Sequence, residues 1–262
     1  MNIIVTIKQV VDPNIPPSHI ELDPAGKRVV PPFGIPPVIN GYDANALEEA
    51  LRLRAKYGGR ITALGLGEDS GRESLKRAIA MGADSAILLS DPDWMHADSA
   101  GVGRLLAAAI RKVGDVDLVL CGRQASDTDG GQVLYWIAEA LDLPAVSPVS
   151  RIEELDGRNV TVHRLIEEGY QRLRVELPAL LGISSETNEP RLPSLRGTMA
   201  AGRAMIPGWK APDLGLEAPA AKVELRQLRT QARTSSAELI AGNLGAEQGV
   251  ALADKLHELG LI

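Results

Sequence analysis

The sequence predicts an α/β fold: a doubly wound, largely parallel sheet (residues 1–183) with an antiparallel extension, followed by a long C-terminal arm (184–262). Three observations predict it. Short apolar runs of strand length (Ile3–Val10, Arg60–Leu66, Ser85–Leu89, Asp117–Cys121) alternate with stretches apolar at helical spacing. Such alternation at short spacing implies parallel strands joined by right-handed crossovers. Beyond Ala145 the pattern changes to three strand-like runs separated by Asp156-Gly157 and Glu168-Gly169, which are turn signals. From Ser184 to Gly215 the chain is mostly free of a regular period.

Taken in order, Ile3–Val10 is apolar enough for a strand covered on both faces, and Pro13 ends its ladder. His19–Leu22 and Lys27–Val30 read as a small hairpin, and Pro31–Pro37 as an extended connection. Ala44–Ala55 is an amphipathic helix ended by Gly58-Gly59, with Asp43 as its N-cap. Arg60–Leu66 leads through Gly67–Ser70 into a helix reaching Met81, closed by Gly82. Ser85–Leu89, a helix over Asp98–Val113, and Asp117–Cys121 follow. Val149–Glu154, Asn159–Ile166 and Gln171–Glu176 form the antiparallel addition, and Pro178–Ile183 is one more apolar strand. Residues 184–215 are rich in Pro, Gly and Arg without a period. An irregular run of that length is uncommon inside a compact domain and suits a partner's surface better. Ser235–Leu261 reads as amphipathic helix, weakened by Gly245 and Gly249.

The totals narrow the function. With 262 residues, 45% hydrophobic and 24% charged, the chain can bury a sizeable core. A net charge of −6 argues against nonspecific nucleic-acid binding, because there is no basic excess to displace counterions. No apolar stretch reaches membrane-spanning length, so no direct membrane insertion is expected, and a cytoplasmic location is. The one cysteine, Cys121, rules out an internal disulfide and reads as a buried structural thiol. No metal site and no catalytic residue is expected. Trp94, Trp136 and Trp209 are scattered and read as packing residues.

The chemistry concentrates in Gly122–Gln132, between the fourth strand and the helix starting at Val133. A strand, a Gly- and Asp-rich turn and a helix make an anion site at the carboxyl edge of a parallel sheet. Gly130 and Gly131 let backbone N–H groups converge on a phosphate. Asp127 and Asp129 would repel that phosphate, and suit capping of the next helix or hydrogen bonds to a ribose or base. An ordinary strand-to-helix connection favours the same residues, so that alternative stands beside the nucleotide reading. An EF-hand fits less well than either reading: the glycines come too early and Ala138 stands at the bidentate Glu position. The Gly-x-Gly-x-x-Gly and Walker A signatures are absent.

Several motifs in order resemble the beta subunit of electron-transfer flavoproteins. They are Val5–Pro13, Asn40-Gly41-Tyr42-Asp43 before Leu47–Leu51, Arg77–Asp84, Gly122–Ala125 with its aspartates, and Asn188-Glu189-Pro190-Arg191 with Leu195 beyond. A further signature spans Val162–Arg164, Glu167–Gly169 and Leu177–Leu181. Departures occur at Glu168, at Gly182, at Gly41-Tyr42 where Pro-Phe is more usual, and in a basic cluster reduced to Arg196 and Arg203.

The resemblance implies a heterodimer with an alpha subunit that carries most of the FAD, while this chain binds AMP. The matching positions are Thr6, Asn40, Gly41, Tyr42, Asp43, Leu66, Asp127, Thr128, Asp129, Gly130, Gly131, Gln132 and Val133. Asn188, Glu189, Pro190, Arg191 and Leu195 would meet partners, with Leu195 anchoring a loop that docks on flavoprotein dehydrogenases such as those of fatty acid oxidation. Electrons would pass to a quinone oxidoreductase or another acceptor. The short loop after Asp129 resembles bifurcating and nitrogen-fixation branches, in which a second FAD replaces AMP. Two other readings stand: a free ATP-binding protein of the universal-stress or adenine nucleotide alpha hydrolase-like type, and a non-enzymatic scaffold with a vestigial loop.

Overall fold

The computed structural model describes residues 1–94, 96–216, 221–229 and 237–262. The chain divides into two compact units, Met1–Leu228 and Arg229–Ile262.

The first unit is built on a nine-stranded sheet. Its strands are β1 (Asn2–Ile7), β2 (Arg60–Leu66), β3 (Ser85–Leu89), β4 (Leu118–Gly122), β5 (Ala145–Leu155), β6 (Asn159–Ile166), β7 (Gly169–Glu176), β8 (Ala179–Ile183) and β9 (Gly208–Trp209). The order across the sheet is β7-β6-β5-β8-β4-β1-β2-β3-β9. From β5 to β9 in that order every pairing is parallel, and the β5–β6 and β6–β7 pairings are antiparallel.

Four helices cover the two faces: α1 (Gly41–Tyr57) and α2 (Gly71–Met81) on one, α3 (Ser99–Val113) and α4 (Val133–Leu141) on the other. Alternation along the strands decides which residue meets which layer. Ile3, Val5 and Ile7 pack with Leu47, Leu51 and Leu75, whereas Ile4 packs with Leu105, Ile110 and Ile137. Both faces being covered accounts for the nearly continuous apolar runs in β1 and β4.

Several expectations are corrected here. The first strand stops at Ile7, and Gln9–Val10 instead pairs antiparallel with Val38–Ile39. β5 joins the two parts of the sheet: it pairs antiparallel with β6, as expected, and parallel with β8 on its other side. β8 is buried at every position and therefore takes a central place between β4 and β5, while the alternating β6 and β7 tolerate the edge.

Residues 184–215 are not aperiodic. They contain a short 3-10 turn, helix α5 (Leu195–Arg203), strand β9 and the one-turn helix α6 (Ala211–Leu214). β9 extends the sheet beside β3. α5 lies so close to α2 that a Cβ on Gly197 would stand 2.1 Å from the Ala80 carbonyl oxygen. Among the residues of α5 only Ala201 is buried, and a helix of nine residues is too short for its period to stand out in the sequence.

In the second unit, helix α7 spans Gly245–Glu258, ten residues later than the predicted start. Ser235 and Ser236 of that prediction lie outside the described residues. Leu244 stands at the N-cap without a side-chain hydrogen bond, and no residue of α7 is buried within the described residues.

Candidate functional site

The carboxyl edge of the parallel strands gathers the end of β1, the start of α1 and the loop after β4. Helix α1 begins at Gly41, so Asn40 is the N-cap and Asp43 lies inside the first turn. The predicted cap at Asp43 is thereby corrected. Asp43 is buried, and its carboxylate joins two neighbouring strands: Oδ2 accepts from the Lys8 N–H (2.7 Å) and Oδ1 from the Gly122 N–H (3.1 Å). Burial pushes its carboxyl up to about 7, although these N–H donors and the Asn40 side chain oppose the rise.

Asn40, 1% exposed, ties α1 to the loop. Its Nδ2 donates to the Gln124 carbonyl (2.8 Å) and its Oδ1 accepts from the Ser126 N–H (3.1 Å). The loop is thus held from the side of α1 as well as by the Arg123 N–H, which donates to the Ile183 carbonyl at 2.9 Å.

Neither aspartate caps helix α4. Gln132 is the N-cap and makes no side-chain cap bond. Asp127 pairs with Lys8 Nζ at 2.7 Å, and Asp129 Oδ1 accepts from Gln124 Nε2 at 2.8 Å. Asp129 and Gly131 take left-handed backbone angles, φ +48° and +58°, so the turn needs residues that tolerate them. The N–H groups of Gly130, Gly131, Gln132 and Val133 have no acceptor among the described residues. Two buried polar atoms of the same loop, Arg123 Nε and Ser126 Oγ, also lack a partner among the described residues. The Arg123 guanidinium stands 5.3 Å from the centre of the Tyr42 ring.

Burial pushes the Cys121 thiol up to about 12, with the neighbouring Thr6 side chain opposing the rise. Leu66 closes β2 and packs with the α3/α4 layer. Asp127, Thr128, Asp129, Gly130 and Gln132 are exposed, while Gly131 and Val133 are half-buried. Trp94 packs as expected, but Trp136 on α4 is exposed. Sequence reasoning singled out the stretches that contain Lys8, Arg123, Gln124 and Ser126 but gave these four side chains no role. Lys8 neutralises Asp127 and Gln124 occupies Asp129, and no local pattern marks Lys8, more than a hundred positions away, as the counter-ion of Asp127.

The residues expected to meet partners lie elsewhere. Leu195 is 82% exposed on α5, Glu189 is exposed and Pro190 is half-buried. Asn188 and Arg191 direct their side chains onto α1 of their own chain. Among the described residues there is no metal-binding cluster, and no helix is long and apolar enough to cross a membrane.

Comparison with known proteins is decisive for the family. The electron transfer flavoprotein domain matches residues 34–214. The beta subunit of the electron transfer flavoprotein of Thermoanaerobacterium thermosaccharolyticum is 43% identical over 201 residues, 77% of this chain and 75% of the relative. The chain belongs to the electron transfer flavoprotein beta-subunit family. Subunit CarD of the caffeyl-CoA reductase-Etf complex of Acetobacterium woodii is 37% identical over 269 residues, spanning 100% of both chains. Protein FixA of Azorhizobium caulinodans is 38% identical over 223 residues, 83% of this chain and 78% of the relative. Membership of the electron transfer flavoproteins carries a flavin-associated electron-transfer role and agrees with the doubly wound α/β sheet.

Proposed function

We propose that this chain is the beta subunit of a heterodimeric electron carrier. It holds an adenine nucleotide, AMP, at the loop after β4, while FAD resides mainly on an alpha subunit. The observation that carries the nucleotide site is the row of unengaged N–H groups from Gly130 to Val133. They open onto the N-terminus of α4, where the helix dipole favours an anion. Lys8 and Gln124 hold the carboxylates of Asp127 and Asp129, which reduces their repulsion of an incoming phosphate. Arg123 Nε and Ser126 Oγ add two donors without another use. Tyr42, Asn40, Thr6 and Leu66 would line the remainder of that site.

Redox chemistry in such a carrier belongs to the flavin, and this chain's residues bind, orient and shield. Electrons would come from flavoprotein dehydrogenases, such as acyl-CoA dehydrogenases, and leave to a quinone-linked or other acceptor. The arm of residues 184–262 is the part assigned to partners. Co-expression with the alpha subunit, followed by a visible spectrum and nucleotide analysis, tests the reading. One flavin with one AMP per heterodimer is expected; a chain that stays monomeric and turns over ATP would refute it.

A second reading puts a second FAD at the same loop. What favours it is the end-to-end match to a subunit of a caffeyl-CoA reductase-Etf complex. The adenylate half of FAD would use the same N–H groups. Two flavins per heterodimer without AMP would establish this alternative.

A further inference from the structure

Arg191 faces inward rather than toward a partner. Its guanidinium grips Glu48 of α1 through two bonds, Nε to Oε2 at 2.7 Å and NH2 to Oε1 at 3.0 Å, and its own N–H adds a third at 3.2 Å. The Glu48 side chain is only 5% exposed and also accepts from Arg52 at 3.0 Å. Burial works against the charge on Glu48, but the Arg191 hydrogen bonds outweigh it and hold the carboxyl below its usual range. Three residues earlier, Asn188 clasps the same helix. Its Nδ2 donates to the Asn45 carbonyl and to Glu49 Oε2, each at 3.1 Å, and Asn45 Nδ2 donates back to the Asn188 carbonyl at 2.6 Å.

Directly beyond this clamp come the bare apolar side chains Leu192, Leu195 and Met199, which are 81%, 82% and 57% exposed. Leu195 and Met199 are one turn apart on α5 and so share one face of it, and Leu192 stands in the non-helical stretch just before that helix, so the three make a short apolar row along the chain. The far end of the row is fixed as well, by the close approach of Gly197 to Ala80 and by Ser194, whose Oγ caps α5 at the Gly197 N–H (3.0 Å). The side chains of Arg191, Asn188, Glu48, Glu49 and Asn45 thus serve a segment that has almost no apolar burial of its own.

We infer that Asn188 and Arg191, with Glu48 as their anchor, are positioning residues: they hold the Leu192–Leu195–Met199 row in the geometry offered to the donor flavoprotein. The inference rests on the reading of Leu195 as the docking anchor. A surface ordered before the encounter spares the complex the cost of ordering it at the moment of binding. Arginine is required because only its planar fork spans both Glu48 oxygens, and lysine keeps the charge without the fork.

The test uses the heterodimer carrying Arg191→Lys, Leu195→Ala or both. Hydrogen exchange across 188–199 is read first, then electron transfer from an acyl-CoA dehydrogenase reduced by its acyl-CoA, with the heterodimer as varied acceptor. Arg191→Lys is expected to speed exchange across 188–195 and to raise KM by about tenfold at unchanged kcat, with flavin and nucleotide loading intact. The double variant is expected to show little more than either single one, since both remove the same row. Unchanged exchange in Arg191→Lys, or unchanged KM beside a raised KM in Leu195→Ala, would overturn the positioning role alone. An inert Leu195→Ala would overturn the docking surface on which it rests.

Discussion

Gly122 and Asp43 share one space. A Cβ on Gly122 would stand 2.4 Å from Asp43 Oδ1 and 2.8 Å from the Tyr42 carbonyl carbon. The first turn of α1 therefore lies directly on the end of β4, and this contact brings Asn40 within reach of the loop. Side chain and backbone both block a methyl group there, so relaxation is restricted. Gly122→Ala is expected to cost about 1–3 kcal/mol of stability or more, and to weaken nucleotide retention because the loop loses its Asn40 tether. Chemical denaturation and nucleotide analysis of the purified heterodimer measure both.

Asp43 provides a pH dependence. Its carboxyl titrates near 7 in the folded chain against an ordinary value of 3.8. Between those values the folded state keeps a proton that the unfolded state releases, so this residue's contribution to stability falls as pH rises from about 4 to about 7 and levels off above. Asp43→Asn removes the titration but leaves either the Lys8 or the Gly122 N–H without an acceptor, at a cost of about 1–3 kcal/mol. The stability difference between wild type and Asp43→Asn is thus expected to be largest near pH 4 and to shrink toward pH 7. A difference that is flat or widens over that range would refute the assignment.

Lys8 governs how an anion meets the loop. Replacing it with Gln frees the Asp127 carboxylate beside the row of N–H groups from Gly130 to Val133. The pair is partly exposed, so the effect is modest: about 0.2–1 kcal/mol, a loss of affinity up to several-fold, larger at low salt. Titration of stripped heterodimer with AMP reads it. Asp127→Asn together with Lys8→Gln is expected to restore most of the loss.

Gly182, a departure from the usual family pattern, has a packing reason. A Cβ there would meet Ser147 Oγ at 2.3 Å and Ser147 Cβ at 2.6 Å, across the contact between β8 and β5. Gly182→Ala is expected to destabilise by about 1–3 kcal/mol, and Ser147→Gly to relieve much of it, giving a coupling energy of the same sign in a double-mutant cycle. Additive losses would show that the two positions do not share this space.

The alternation of apolar runs with helical periods was legible because every buried strand must be apolar wherever both faces are covered. The loop after β4 was legible too, since a turn with left-handed backbone angles and free N–H groups draws on few residue types. The parts that were misread have a common origin. Asp43 looked like a helix cap because a cap and a bridge between two strands ask for the same carboxylate. The segment beyond Ile183 looked aperiodic because α5, nine residues long and docked through Gly197 and Ala201, is too short for its period to stand out.

By itself, then, the sequence determined the layered α/β architecture, the position of the Gly- and Asp-rich turn between β4 and α4, and the family, because each depends on local pattern or on motifs kept in order. Tertiary structure alone decided that Lys8 answers Asp127, that Asp43 joins β1 to β4, and that Arg191 holds Glu48. These are pairings between charged or polar groups far apart in the chain. Hydrophobic burial is written residue by residue, whereas an ion pair or a shared hydrogen bond exists only once folding has brought its two halves together.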